Sequence, residues 1–310
     1  MLLCEPRFRR GEGFGNRLFS WGRCRVFAKC HNAQVISPIW FRLSVGTLLR
    51  GGIDYPSYLR QIALWGLFDT RPGDLGVVAG RWRARHYPVI HEDALADLPV
   101  APLPNMNARI LFDRPWYSFE PLFGWEAYLL KELRFITRLP HLDVVDAVRG
   151  PFVGINIRCG KDFKPPPEVG EFYDRVGWLQ RTPVSWYVEC LNAIRDACGH
   201  PVAAILVSDG SVDMLEDILR MENVYFLRPG RATTDLLMLA RARVLLASAT
   251  STFSAWAAFL GGMPVANAPG HPLTEWGISQ SSDRYVGDFD PRKSDGLFLR
   301  QAAQRLNADG

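Results

Sequence analysis

The chain has 310 residues, longer than one hydrophobic core usually serves, so two domains are expected. Hydrophobic residues make up 48% and charged residues 22%, which excludes an intrinsically disordered chain. The net charge of +4 is too small to point to nucleic acid; it suits a local basic site for an anionic ligand or a membrane surface.

The opening "MLLCEPRFRRGEG" holds too short an apolar run for a signal peptide, and no run reaches the length of a membrane span. The six cysteines, Cys4, Cys24, Cys30, Cys159, Cys190 and Cys198, form no CxxC pair and no zinc spacing. Reduced thiols and a cytoplasmic location are expected, with peripheral membrane contact left open.

In chain order, "EGFGNRLF" (12–19) is a glycine-containing turn where the backbone can approach a ligand closely. It lacks the third glycine and the distant acid of a dinucleotide fingerprint, and no GK[ST] marks a P-loop. Residues 17–30 read as a helix, from Leu18, Trp21, Cys24 and Ala28, followed by a short strand in "AQVISP". "RWRARH" alternates Arg81, Arg83 and Arg85 and reads as an exposed strand or loop face, or as a contact for an anionic acceptor or lipid head groups. Residues 120–138 read as a helix, and Trp116 and Trp125 are candidates to line a sugar cleft.

The second half alternates strictly. Strands at 152–157, 202–208, "VYFL", "VLLAS" and "MPVAN" are separated by helices at 183–198, 211–221, 234–242 and 252–262. Continuous apolar strands between helices mean an α/β domain with a parallel sheet covered on both faces. The domain joint is placed at Arg149–Gly150, giving domains 1–149 and 150–310.

Ligands of such sheets bind beyond the carboxyl ends of the strands. "VGINIRCGKDF" (153–163) runs an apolar strand into charge there, and strand alternation puts Asn156 and Arg158 on one side. A guanidinium at that end is a planar fork suited to phosphate, or an ordinary salt-bridged arginine. "ASATSTFSAW" (247–256) runs a strand into a helix through hydroxyl residues, either an anion site at a helix start or an ordinary Ser/Thr cap.

Taken in order, these segments resemble the GDP-fucose-dependent fucosyltransferase superfamily of α1,2-, α1,6- and protein O-fucosyltransferases. "GFGNRLFSWGRCRVFAKCHNAQVIS" looks like its N-terminal G-x-GN loop and helix, and "VGINIRCGKDF" like its H-x-R strand. "ILVSDG" looks like its strand ending in Ser/Thr-Asp. "TDLLMLARARVLLASATSTFSAWAAFLGG" looks like its D-hydrophobic-x-L-M helix, strand and S-[ST]-F-[ST] turn. The likeness covers about residues 11–37 and 150–270, and "WYSFEPLF" (116–123) is a faint echo of an acceptor-side motif.

The resemblance implies a GT-B-like α/β fold, with two Rossmann-type domains whose parallel sheets face a cleft. The N-terminal domain would lie on the acceptor side and the C-terminal one would hold the nucleotide sugar. It implies inverting transfer of fucose from GDP-fucose to a glycan, glycolipid or protein hydroxyl, with no metal and no cofactor. Carried over, Arg158 binds the β-phosphate, and Ser251, Thr252 and Phe253 form the phosphate turn. Asp235 reads the guanine edge, while Gly13, Gly15 and Asn16 close over the donor. Asn156 and Asp209 complete the donor site. Asp162, close behind Arg158, is the leading catalytic base, with Glu168 and Glu171 as others. Two positions depart from the family: its histidine is Asn156, and the second arginine of the α1,2 and α1,6 enzymes is Cys159. They leave two alternatives, a transferase for another GDP-sugar and a nucleotide-sugar-binding protein without chemistry.

Overall fold

The computed structural model describes residues 1–9, 12–40, 67–95, 107–160, 163–166, 180–227, 231–270, 273–278, 281, 283–293 and 296–308. The chain divides into two compact units, Met1–Leu142 and Asp143–Gly310.

The first unit begins with a strand the hydropathy pattern did not reveal, β1 (Leu2–Pro6), which leads into helix α1 (Phe14–His31) and strand β2 (Gln34–Val35). Helix α2 (Val77–Arg83), β3 (Val89–His91), β4 (Ala108–Phe112) and α3 (Glu126–Ile136) follow. Helix α4 (Leu139–Ala147) contains the division between the units. The sheet is parallel in the order β2-β1-β4-β3. Alternation along β1 sends Cys4 into a cluster with Cys24 and Ala28 of α1, and sends Leu3 to the opposite face with Ile36 and Ala84. All six cysteines are free.

Helix α1 also buries three arginines. Arg23 donates to both Glu92 oxygens at 2.7 and 3.0 Å and to the carbonyls of Trp116 and Arg114, Arg25 pairs with Asp74, and Arg17 reaches the Glu12 carbonyl. Glu5 of β1, only 2% exposed, collects Arg81 (2.6 and 2.9 Å), Arg109 (2.8 Å) and Arg7 (3.3 Å). The "RWRARH" segment is therefore not a strand: it is half helix and half turn. Its first half ends helix α2, and Arg81 turns inward to Glu5 while Arg83 and Arg85 are exposed. The alternating arginines mimicked a strand because the helix packs through Gly80 and the following turn through Ala84, both too small to register as an apolar face.

The second unit holds β5 (Val153–Ile157), α5 (Val184–Cys198), β6 (Ala204–Ser208), α6 (Glu216–Leu219) and β7 (Val224–Phe226). After these come α7 (Ala232–Arg241), β8 (Val244–Ala247), α8 (Thr252–Gly261), β9 (Val265–Asn267), β10 (Val286–Asp288) and α9 (Gly296–Asn307). Every pairing is parallel and the order is β10-β9-β8-β5-β6-β7. Numbered from β5, that is 3-2-1-4-5-6, the dinucleotide-binding arrangement, with β10 and α9 beyond what the sequence pattern showed. Val153, Ile155 and Ile157 pack with Trp186, Tyr187 and Phe298 of α5 and α9. Asn156 points the other way, to α8. On that second face α7 and α8 run side by side, so close that a Cβ on Gly261 would stand 2.3 Å from the Ala240 carbonyl oxygen. Both helices follow a parallel strand, so their N-termini share the carboxyl edge of the sheet.

Candidate functional site

In the 3-2-1-4-5-6 order the chain leaves β5 and β8 toward opposite sides, which opens a crevice at their carboxyl ends. Arg158 follows β5, and residues 248–251 link β8 to α8.

Ser248 is the hub joining the two strand ends. Its hydroxyl donates to the Asn156 carbonyl at 2.9 Å and accepts from the Arg158 backbone N–H at 2.9 Å. With its single proton committed, its 2.9 Å contact with the Tyr187 hydroxyl must have tyrosine as the donor. Tyr187 is fully buried, and its phenol is pushed well above the usual range by that burial. Asn156 Nδ2 donates to Ser254 Oγ at 2.6 Å and to Ser251 Oγ at 3.4 Å. Ser251 caps α8, accepting from the Ser254 backbone N–H at 3.3 Å. The cap fixes where the helix starts, and the helix dipole puts positive potential there. Thr252 and Phe253 form its first turn, both partly exposed.

Arg158 extends from this hub. Its guanidinium lies 3.3 Å from Asp209 and stacks over the Phe163 ring with 5.2 Å to the centroid. Asp209, just after β6, also accepts the Cys159 backbone N–H at 2.6 Å, so one carboxylate steadies backbone and guanidinium together. The Cys159 thiol is buried and its pKa is raised by that burial, which keeps it protonated and unreactive.

Among the described residues, the buried atoms Asp235 Oδ1, Thr233 Oγ1 and Thr250 Oγ1 at this edge have no hydrogen-bond partner. Burial raises the Asp235 carboxyl to about 7, only partly offset by a backbone hydrogen bond at Arg231. Thr250 takes φ 53°, a left-handed conformation that costs a β-branched residue about 1–2 kcal/mol. Orphaned buried polar atoms and backbone strain at a switch point are features of a place where a ligand supplies the missing partners.

The sequence-derived candidates Asn156, Arg158, Asp209 and Ser251 thus form one bonded cluster, with Thr252, Phe253 and Asp235 at the same sheet edge. Gly13, Gly15 and Asn16 belong to the first unit, where Gly13 precedes α1 at the carboxyl end of β1. No side chain caps α1, and its entry turn is held by Glu12, which accepts from the Arg9 backbone at 2.7 Å and from the Tyr117 hydroxyl at 2.9 Å. Burial and that carboxylate push Tyr117 up to about 12. Asp162, Glu168 and Glu171 lie outside the described residues. Of the two tryptophans, Trp116 is part-exposed beside Arg23, and Trp125 packs edge-on against Tyr128. Sequence reasoning missed Ser248, Ser254, Tyr187, Thr233 and Thr250. Three of these, Ser248, Thr250 and Ser254, lie in the "ASATSTFSAW" segment it did single out.

No protein-family model and no curated protein matches the chain. Solved structures do. The NodZ α-1,6-fucosyltransferase soaked with GDP-fucose aligns over 86% of this chain and 94% of its own, with a TM-score of 0.53 at 16% identity. The chain has the NodZ fold. The Bradyrhizobium NodZ structure aligns over 85% of this chain and 94% of its own, with a TM-score of 0.51 at 17% identity. An Arabidopsis thaliana FUT1 mutant in complex with GDP aligns over 87% of this chain and 70% of its own, with a TM-score of 0.51 at 13% identity. The α/β class with two parallel sheets, that of the GT-B fucosyltransferases, is therefore the architecture of this chain. Among the described residues no helix is long and apolar enough to cross a membrane.

Proposed function

We propose that this protein is an inverting, metal-independent fucosyltransferase that uses GDP-fucose as donor and a glycan, glycolipid or protein hydroxyl as acceptor. The observation that carries the proposal is the switch-point cluster: Arg158 and the start of α8 bound to one another through Ser248, beside orphaned Asp235, Thr233 and Thr250. The NodZ fold supports the choice of donor.

In this reading the pyrophosphate sits between Arg158 and the first turn of α8, and Asp235 accepts the N–H groups of guanine. The acceptor oxygen attacks the anomeric carbon from the side opposite the pyrophosphate. The bond from that carbon to phosphate oxygen breaks, and its electron pair leaves with GDP. Arg158 and the helix start are fixed positive groups aimed at that growing charge, the role a metal ion fills elsewhere. The acceptor proton goes to a carboxylate, for which Asp162 is the candidate by its place behind Arg158.

The test is a melting-shift screen of GDP, GDP-fucose, GDP-mannose, ADP and UDP-glucose, with and without EDTA, followed by assay of GDP release. Stabilisation by GDP and GDP-fucose that survives EDTA, with slow GDP release from GDP-fucose, is expected. Stabilisation without any release would leave a binding protein, a preference for GDP-mannose another transferase, and loss of the shift in EDTA would remove metal independence.

A further inference from the structure

Helix α2 is turned against the usual rule for a surface helix. It buries Gly80 alone and displays its largest side chains. Gly80 faces inward, where a Cβ would stand 2.8 Å from Ile36 Cγ1, and Ala84, the next inward position one turn on, is 2% exposed. Outward, Val78 is 84% exposed and Trp82 66%. Four residues apart, they form one apolar ridge. Arg85 continues that ridge, with its guanidinium 4.2 Å from the Trp82 ring centroid. Arg83 and His86 flank it, both exposed, and exposed Val89 follows.

The charge here has one sign. Residues 75–91 contain no Asp or Glu but include Arg81, Arg83 and Arg85, while His86 Nε2 accepts from Arg85 at 3.0 Å and His91 faces Asp113. Beneath the helix, the single Glu5 carboxylate is shared by Arg81, Arg109 and Arg7, so the underlying surface also keeps excess positive charge. The nearest following acids are engaged, Glu92 with Arg23 and Asp93 with Arg114.

A protruding tryptophan and valine ringed by arginines matches the water–lipid boundary. Indole and aliphatic groups enter the headgroup–acyl zone, and guanidinium groups remain with the phosphates. A soluble polyanion would use the arginines but leave Val78 and Trp82 in water. We propose that helix α2 and the turn after it are a docking face for an anionic lipid bilayer, holding the protein on a membrane surface without a spanning segment.

The test is co-sedimentation of the full chain with extruded vesicles of phosphatidylcholine alone, or of phosphatidylcholine with phosphatidylglycerol, with dextran sulfate as a soluble competitor. Binding to the mixed vesicles that weakens with salt, with little binding to neutral vesicles, is expected. Trp82→Ala and, separately, the Arg83→Glu/Arg85→Glu pair are each expected to weaken it about tenfold. These side chains are exposed, and unchanged circular dichroism and melting temperature will show that the variants fold. Absence of binding to mixed vesicles at low salt overturns the proposal. So does binding that Trp82→Ala leaves intact, or dextran sulfate binding that depends on Trp82 as strongly as vesicle binding does.

Discussion

The Ser248 hydroxyl holds Arg158 by its backbone: the Arg158 N–H donates to it at 2.9 Å while the same hydroxyl donates to the Asn156 carbonyl. The arginine is thus placed by the neighbouring strand end, before its side chain meets any ligand. Tyr187 completes the oxygen's capacity from the opposite face of the sheet.

Ser248→Ala should remove the shared hydroxyl partner of Tyr187 and of the Arg158 N–H, and should lower stability by about 1–3 kcal/mol. Tyr187→Phe should cost less in that background than in the native chain, because its partner is already gone. A double-mutant cycle by urea denaturation measures this coupling, and strictly additive losses would refute the shared bond.

Arg158→Lys should leave unliganded melting nearly unchanged, since Val153, Ile155 and Ile157 pack without the head group. Turnover should fall about thirtyfold, near 2 kcal/mol, because lysine keeps the charge but loses the fork and the stacking on Phe163. GDP binding should fall less than turnover. Titration calorimetry and a GDP-release assay on one preparation separate the two effects.

Asp235 should make both stability and nucleotide affinity depend on pH, in opposite directions. Its carboxyl titrates near about 7 when folded, against an ordinary value of 3.8. The folded state therefore holds the proton more tightly. Its contribution is complete below about pH 4 and is lost as pH rises to about 7, a few kcal/mol in all. Melting of Asp235→Asn should lack this loss. GDP affinity should instead rise from about pH 6 to pH 8, since in the proposed function it is the ionised carboxylate that would accept the guanine N–H groups. Melting curves and GDP titrations across this range, on both proteins, check each half. Asp235→Ala should also narrow the preference for GDP over ADP.

Glu5→Gln should destabilise the first unit by about 3 kcal/mol, because Arg7, Arg81 and Arg109 would lose their common anion. Burial alone would raise the Glu5 pKa, but hydrogen bonds from Arg109 and Arg81 outweigh it and hold the carboxyl below its ordinary value. This stabilisation is present above the usual glutamate range and disappears as acid protonates the group. Acid unfolding followed by circular dichroism should show the native chain losing this advantage over Glu5→Gln below about pH 4.

The second unit was legible because its strands are continuous apolar runs and its helices carry apolar faces. Leu206 and Leu246 sit in the core, and the helix expected at 183–198 appears at Val184–Cys198. In the first unit the helix at 17–30, the strand in "AQVISP" and the helix at 120–138 were legible, but β1, α2, β3 and β4 were not, because much of the interior is ionic. β1 carries buried Glu5, α1 buries Arg17, Arg23 and Arg25, and α2 packs through Gly80 and Ala84, none of which a hydropathy pattern counts as core. In the candidate site, Arg158, Asp235 and Ser251 stood out by type and place. Ser248 and Tyr187 did not, since a serine and a buried tyrosine become a hub only once two distant segments meet.

The near-contact of Gly261 with the Ala240 carbonyl makes α7 and α8 a single stiff block. One helix carries Asp235 and the other the capped turn at Ser251. A nucleotide gripped by both is held at its two ends by one body whose spacing is set in advance. On the proposed function it would be bound like a metal in a rigid chelator: the second contact would form at a smaller entropic cost once the first is made. GDP should then bind more tightly than the separate affinities of guanosine and pyrophosphate imply. A methyl group at position 261 would spread the block and weaken both ends together.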